Sequence, residues 1–156
     1  MDVVADSTNV TTYFNLRLAA DGTAATGLTI NTIDLQYVRS GVAPAAKVDA
    51  TALAATDTAH TDNFAIEIDA TDQPGLYRVD WPDAAFATGV REVILTVKHT
   101  TTFIEHLRVN LTPVPADVRS LAGTAYTAGA IPAAVAGQAG GLFIAGSNAA
   151  TTTASL

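Results

Sequence analysis

The chain contains no cysteine. Disulfides, thiolate metal sites and thiol nucleophiles are therefore excluded, and a domain of this kind must rely on its core or on association. Basic residues are scarce as well. Arg17, Arg39, Lys47, Arg78, Arg91, Lys98, Arg108 and Arg119 stand scattered against 15 acidic residues, for a net charge of −7. Nucleic acid is not an expected partner, because phosphate contacts need clustered Lys and Arg. No run approaches the ~18 apolar residues of a membrane span. The N-terminus, MDVVADSTNVTT, has neither a basic region nor a continuous apolar core, so no secretory signal is expected. The expectation is a soluble protein made in a cytoplasm. The sharpest absence comes last: residues 120–156 carry no charged side chain, and Ala, Gly and Thr fill 23 of those 37 positions.

What remains before that tail is patterned. Seven segments alternate with the two-residue period of half-buried strands. In residues 12–18, Phe14, Leu16 and Leu18 share a face opposite Tyr13, Asn15 and Arg17. Ile33, Leu35 and Tyr37 alternate with Asp34, Gln36 and Val38, and a weaker strand is expected around residues 46–53. Phe64, Ile66 and Ile68 alternate with Ala65, Glu67 and Asp69. Tyr77, Val79 and Trp81 alternate with Leu76, Arg78 and Asp80. Between these two segments the Pro74-Gly75 pair predicts a type II turn, with the glycine at positive φ. Residues 81–86 resemble one helical turn ending on Phe86. Val93, Leu95 and Val97, then Phe103, Leu107, Val109 and Leu111, form the inward faces of a last hairpin around Thr100-Thr101-Thr102. Residues 52–63 read equally as a short helix or a long loop.

Strands at this spacing, with no amphipathic helix among them, predict an all-β antiparallel sandwich of about seven strands. Its expected core comprises Phe14, Leu35, Tyr37, Ile66, Ile68, Tyr77, Val79, Trp81, Phe86, Leu95, Val97, Leu107 and Val109. The expected organisation is an arm over residues 1–9, the sandwich over 10–112, and an extended Ala/Gly/Thr-rich segment over 113–156. Pro113 and Pro115 end the last strand, since proline cannot donate to a ladder. The tail buries too little apolar surface to offset its own ordering cost. It is expected to order only against partners, through Leu142, Phe143 and Ile144, its one concentrated apolar run.

Few residues suggest chemistry. Glu67 and Asp69 lie two apart beside Arg78 and Asp80, and paired carboxylates serve acid–base catalysis or Ca²⁺ binding. The same pattern describes the solvent face of a hairpin with Glu67 opposite Arg78, which is the reading adopted. No calcium-loop sequence is present. His99 and His106 flank the last hairpin and His60 lies in the 52–63 segment, but a zinc site needs three or four ligands on a rigid frame. The serines lack a nucleophile-elbow context. Tyr77 and Trp81 form a sugar platform only if exposed, and their alternation with Val79 favours burial; Tyr13 is the better exposed aromatic. No catalytic residue, metal or cofactor is expected, and glycan binding is not favoured.

Pro74-Gly75-Leu76-Tyr77-Arg78-Val79-Asp80 resembles the corner before strand F of immunoglobulin-like modules, where a tyrosine folds back onto the backbone. Val79 stands where an antibody domain has cysteine, so the resemblance carries no disulfide. A longer likeness runs from Tyr13-Phe14 through Gly75-Leu76-Tyr77-Arg78-Val79-Asp80-Trp81-Pro82-Asp83-Ala84-Ala85-Phe86. It continues through Asp117-Val118-Arg119 to the Thr-rich ending Thr151-Thr152-Thr153. This resembles N-terminal immunoglobulin-like attachment domains of tailed-bacteriophage fibre and virion structural proteins. The resemblance implies a non-enzymatic, virion-located protein that docks a fibre onto the particle. It further implies other virion proteins as partners, a homotrimeric association, and a chain continuing into a shaft. Two other readings stand beside it: a capsid cement or decoration protein, and a carbohydrate-binding or adhesive module.

Overall fold

The computed structural model describes residues 1–113 and, beyond them, only the backbone of two short strands. The chain divides into two compact units, Met1–Pro115 and Ala116–Leu156. Within the described part of the second unit, β10 (Ser120–Leu121) pairs antiparallel with β11 (Thr124–Ala125). Leu142, Phe143 and Ile144 lie outside the described residues.

The first unit is all β, with two sheets packed over one core. Its strands are β1 (Asp2–Val4), β2 (Thr11–Asn15), β3 (Asp34–Arg39), β4 (Val48–Asp49), β5 (Thr51–Ala52), β6 (Phe64–Asp69), β7 (Gln73–Asp80), β8 (Glu92–Lys98) and β9 (Glu105–Thr112). One sheet runs β1-β9-β8-β3-β4 and the other β2-β7-β6-β5. The alternation in β8 explains its place. Val93, Leu95 and Val97 are fully buried, and the residues between them are half-buried. Phe14, Leu35, Tyr77, Val79, Trp81, Phe86 and Val109 join them in the core, with Tyr37 and Leu107 half-buried against it. A 3₁₀ turn, Asp83–Phe86, follows Pro82 and delivers Ala85 and Phe86 inward.

The strand count differs from the expected seven because two segments behave unexpectedly. The 46–53 segment changes sheets at Ala50, which is buried: β4 pairs with β3, and β5 pairs in parallel with β6. Residues 1–9 are no free arm, since β1 pairs in parallel with β9 and Ala5 enters the core. The sandwich is therefore not wholly antiparallel.

Ile66 and Ile68 are not core residues. The register of β6 on β7 sets Ala65 against Val79 and Ile66 against Arg78, so the small Ala65 is buried and both isoleucines lie half-buried on the far face. Phe103 is also misplaced by the pattern, being half exposed in the loop before β9.

The Pro74-Gly75 pair does not make the hairpin turn; it lies inside β7, beside a register shift between Glu67 and Asp69. Gly75 does have φ +79°, and a Cβ there would come within 2.7 Å of the Leu16 carbonyl oxygen. The bulge, not a turn, requires glycine. Tyr77 does not fold back on nearby backbone either. Its hydroxyl donates to Ala25 O (2.9 Å) and accepts from Leu28 N (3.2 Å), tying the β2–β3 connection to the opposite strand.

Candidate docking surfaces

One ion pair of the first unit is buried. Arg78 and Asp80 are adjacent on one face of β7, as residues two apart must be, and are 7% and 0% exposed. The guanidinium grips the carboxylate at both oxygens, Nε to Oδ1 (2.9 Å) and Nη2 to Oδ2 (2.8 Å). The Thr11 hydroxyl and the Thr61 N–H complete the carboxylate's partners. Burial pushes the Asp80 carboxyl up, but Arg78, Thr11 and Thr61 together outweigh it and hold it below the ordinary range. Arg78 Nη1 donates to the carbonyls of Thr56 (2.8 Å) and Thr58 (2.9 Å). The pair thus fastens the 53–62 loop across the outer face of β7. That segment is a loop, without a helix, and it removes Arg78 and Asp80 from the solvent face expected for them.

Glu67 faces Tyr77 across the hairpin, not Arg78. Its carboxylate accepts the N–H groups of Gly27 (2.8 Å) and Gly75 (3.4 Å). Asp69 accepts those of Thr71 and Asp72, which hold its carboxyl below the ordinary range. Both acids serve loops, and no shared site forms from them. The Tyr77 hydroxyl is pushed up to about 12 by burial, opposed by the Leu28 N–H. Trp81 donates its indole N–H to Thr12 Oγ1 (2.7 Å) and packs tilted against Phe14. With Tyr77 and Trp81 buried, neither offers a ring to a sugar.

The histidines are engaged separately. His106 meets Thr96, His99 meets Thr32 and Thr101, and His60 meets the Val10 carbonyl. Among the described residues no group of three or more potential ligands is placed to hold a metal.

Several exposed features are apolar. Phe103 and Ile104, each half exposed, form an apolar tip before β9. At its other end β9 leads to Pro113, on an open cleft of about 450 Å³ lined by Ala5, Thr88, Gly89, Val90, Arg91, Leu111 and Pro113. Eight strand residues at ~3.3 Å each set the two features roughly 26 Å apart. Tyr13, 58% exposed on β2, is a third apolar feature; the alternation flagged it, whereas nothing in the periodicity marked the cleft. Comparison of the chain with protein-family models, curated proteins and solved structures returns no match.

Proposed function

We propose that this chain is a non-enzymatic structural protein of a tailed-bacteriophage virion. Its first unit is an immunoglobulin-like head that docks a fibre onto the particle, and its C-terminal segment leads toward the shaft. The observation that carries the reading is the join itself. A compact β unit holds nearly every charge of the chain, and an uncharged, low-complexity segment follows it. Small uncharged side chains permit close backbone approach around a symmetry axis.

The strand order adds support. β2-β7-β6 follows the B-E-D order of immunoglobulin domains and β9-β8-β3-β4 the G-F-C-C′ order. Tyr77 then occupies the E position instead of preceding F, so the topology supports the reading and the tyrosine motif does not. The apolar tip at Phe103-Ile104 lies at the opposite end of β9 from the exit to the C-terminal segment. That polarity suits a head that contacts the particle at one end and hands over at the other. The partners are other virion proteins and further copies of the chain, associated as a homotrimer through the C-terminal segment.

The test is the mass of two chain lengths in solution. The full chain is expected to associate, with light scattering at three times the chain mass, and residues 1–115 to remain a folded monomer. A monomeric full chain would remove self-association from the proposal, and association of the shorter chain alone would move it away from the C-terminal segment.

A further inference from the structure

Glycine follows aspartate once in the sequence, at Asp21-Gly22, and follows asparagine nowhere. That step has a chemistry of its own. The Gly22 nitrogen can attack the side-chain carboxyl carbon of Asp21, and glycine has no side chain to hinder the approach. The nitrogen gives up its proton, the carboxyl gives up its hydroxyl, and one water leaves as a five-membered succinimide closes. Water then reopens the ring. Opening at the former main-chain carbonyl leaves isoaspartate, whose backbone runs through the side chain and is one methylene longer. Nothing is oxidised or reduced, and water is the only reagent.

The turn gives this reaction room but engages both reacting groups. Asp21 is exposed, and a Cβ built on Gly22 meets no atom within 4 Å. The Gly22 N–H, however, donates to Leu18 O (2.8 Å), so the proton that must leave is held. Asp21 Oδ1 accepts the Thr23 N–H (3.0 Å) and the Thr23 hydroxyl (2.7 Å). These two bonds hold the carboxyl below the ordinary carboxylate range. An ionised carboxylate has no hydroxyl to lose.

We propose that Asp21 is a site of spontaneous backbone isomerisation that the fold keeps shut. The Thr23 hydroxyl is part of the closure, and the reaction proceeds when the 18–23 turn opens. The consequence reaches the core. Leu18 N donates to Thr23 O, and Arg17 bridges to Ala24, so a longer backbone at residue 21 displaces both pairings. The next residue, Ala25, is buried, and its carbonyl accepts the Tyr77 hydroxyl (2.9 Å). Isomerisation therefore loosens the β2–β3 connection that Tyr77 ties down. The site rests on this turn alone and is independent of the virion reading.

The test is to age the full chain at neutral pH for weeks. Isoaspartate at residue 21 is then measured by enzymatic methylation of isoaspartyl carboxyls and peptide mapping, with Asp21→Glu setting the background. A free peptide of residues 17–26 carries the same step without the fold. The intact chain is expected to isomerise at least ~10-fold more slowly than the peptide, a factor that one hydrogen bond to a charged group sustains. Urea should bring the two rates together. Thr23→Val keeps the N–H and loses the hydroxyl, and is expected to isomerise several-fold faster than the parent; Thr23→Ser should return the parent's rate. A folded chain that isomerises as fast as the peptide would overturn the proposal. So would a urea-unfolded chain that forms no isoaspartate at residue 21, or Thr23→Val ageing at the parent's rate. Should Thr23→Val lower the melting temperature, the comparison of parent with peptide and the Thr23→Ser rate decide.

Discussion

Replacing Asp80 by asparagine tests the buried clamp on β7. The substitution keeps the shape of the side chain and removes its charge, leaving Arg78 as an unpaired cation that is 7% exposed. Breaking one partner out of a buried pair costs ~3–5 kcal/mol. For a unit of this size that lowers the melting temperature by roughly 10–20 °C. Replacing both residues by apolar ones of similar volume, Arg78→Met with Asp80→Leu, is expected to cost less than Asp80→Asn alone, because no charge is then stranded. Arg78 also holds the Thr56 and Thr58 carbonyls, so hydrogen exchange in residues 53–62 should rise in every variant lacking it. Urea and thermal unfolding of the parent, of Arg78→Met and Asp80→Leu singly, and of the double variant give the coupling energy directly. Parent-like melting of Asp80→Asn, or additive single effects, would refute the argument that this pair is buried and mutually dependent.

Asp80 also sets an acid limit. Its folded pKa lies below the ordinary 3.8, so its contribution is full above that value and fades as pH falls through the depressed one; acid unfolding of Asp80→Asn should lack this component. Tyr77 has the opposite sign. Its neutral form suits the fold, so stability should decline as pH rises from 10 toward about 12, and Tyr77→Phe should flatten that decline at a cost of ~1–3 kcal/mol for the stranded Leu28 N–H and Ala25 O. Trp81→Ala should cost ~3–5 kcal/mol, measured by denaturant unfolding. Gly75→Ala should lose ~1–2 kcal/mol from the left-handed backbone alone, and more from the Leu16 carbonyl in its path; parent-like melting would contradict the bulge.

The alternation in β7 and β8 made the core legible because one face of each strand is wholly apolar inside the sandwich. Along β6 the same rule points the wrong way. Its bulky residues, Phe64, Ile66 and Ile68, lie half-buried on the outer face, and the inner face at that level is filled by Ala65 beside Tyr77, Val79 and Trp81 in the same core. Hydrophobic period locates a strand but selects its inward face only when the other face is left to water. Arg78 and Asp80 were read as solvated for the same reason: their partners are backbone groups of the 53–62 loop, distant in sequence and unmarked by any motif. Gly75 was legible as a positive-φ residue, though its cause is a bulge against Leu16. The parallel pairings of β1 and β5 depend on tertiary docking of very short strands, which carry too few residues for a period.

The proposed role, joining a fibre to a phage particle, is checked by imaging purified particles labelled with a head-specific antibody. Label is expected at the bases of fibres, in few copies per particle, and is expected to be lost together with the fibres when residues 116–156 are deleted. Label spread over the whole capsid shell, or particles that carry none of the chain, would contradict it.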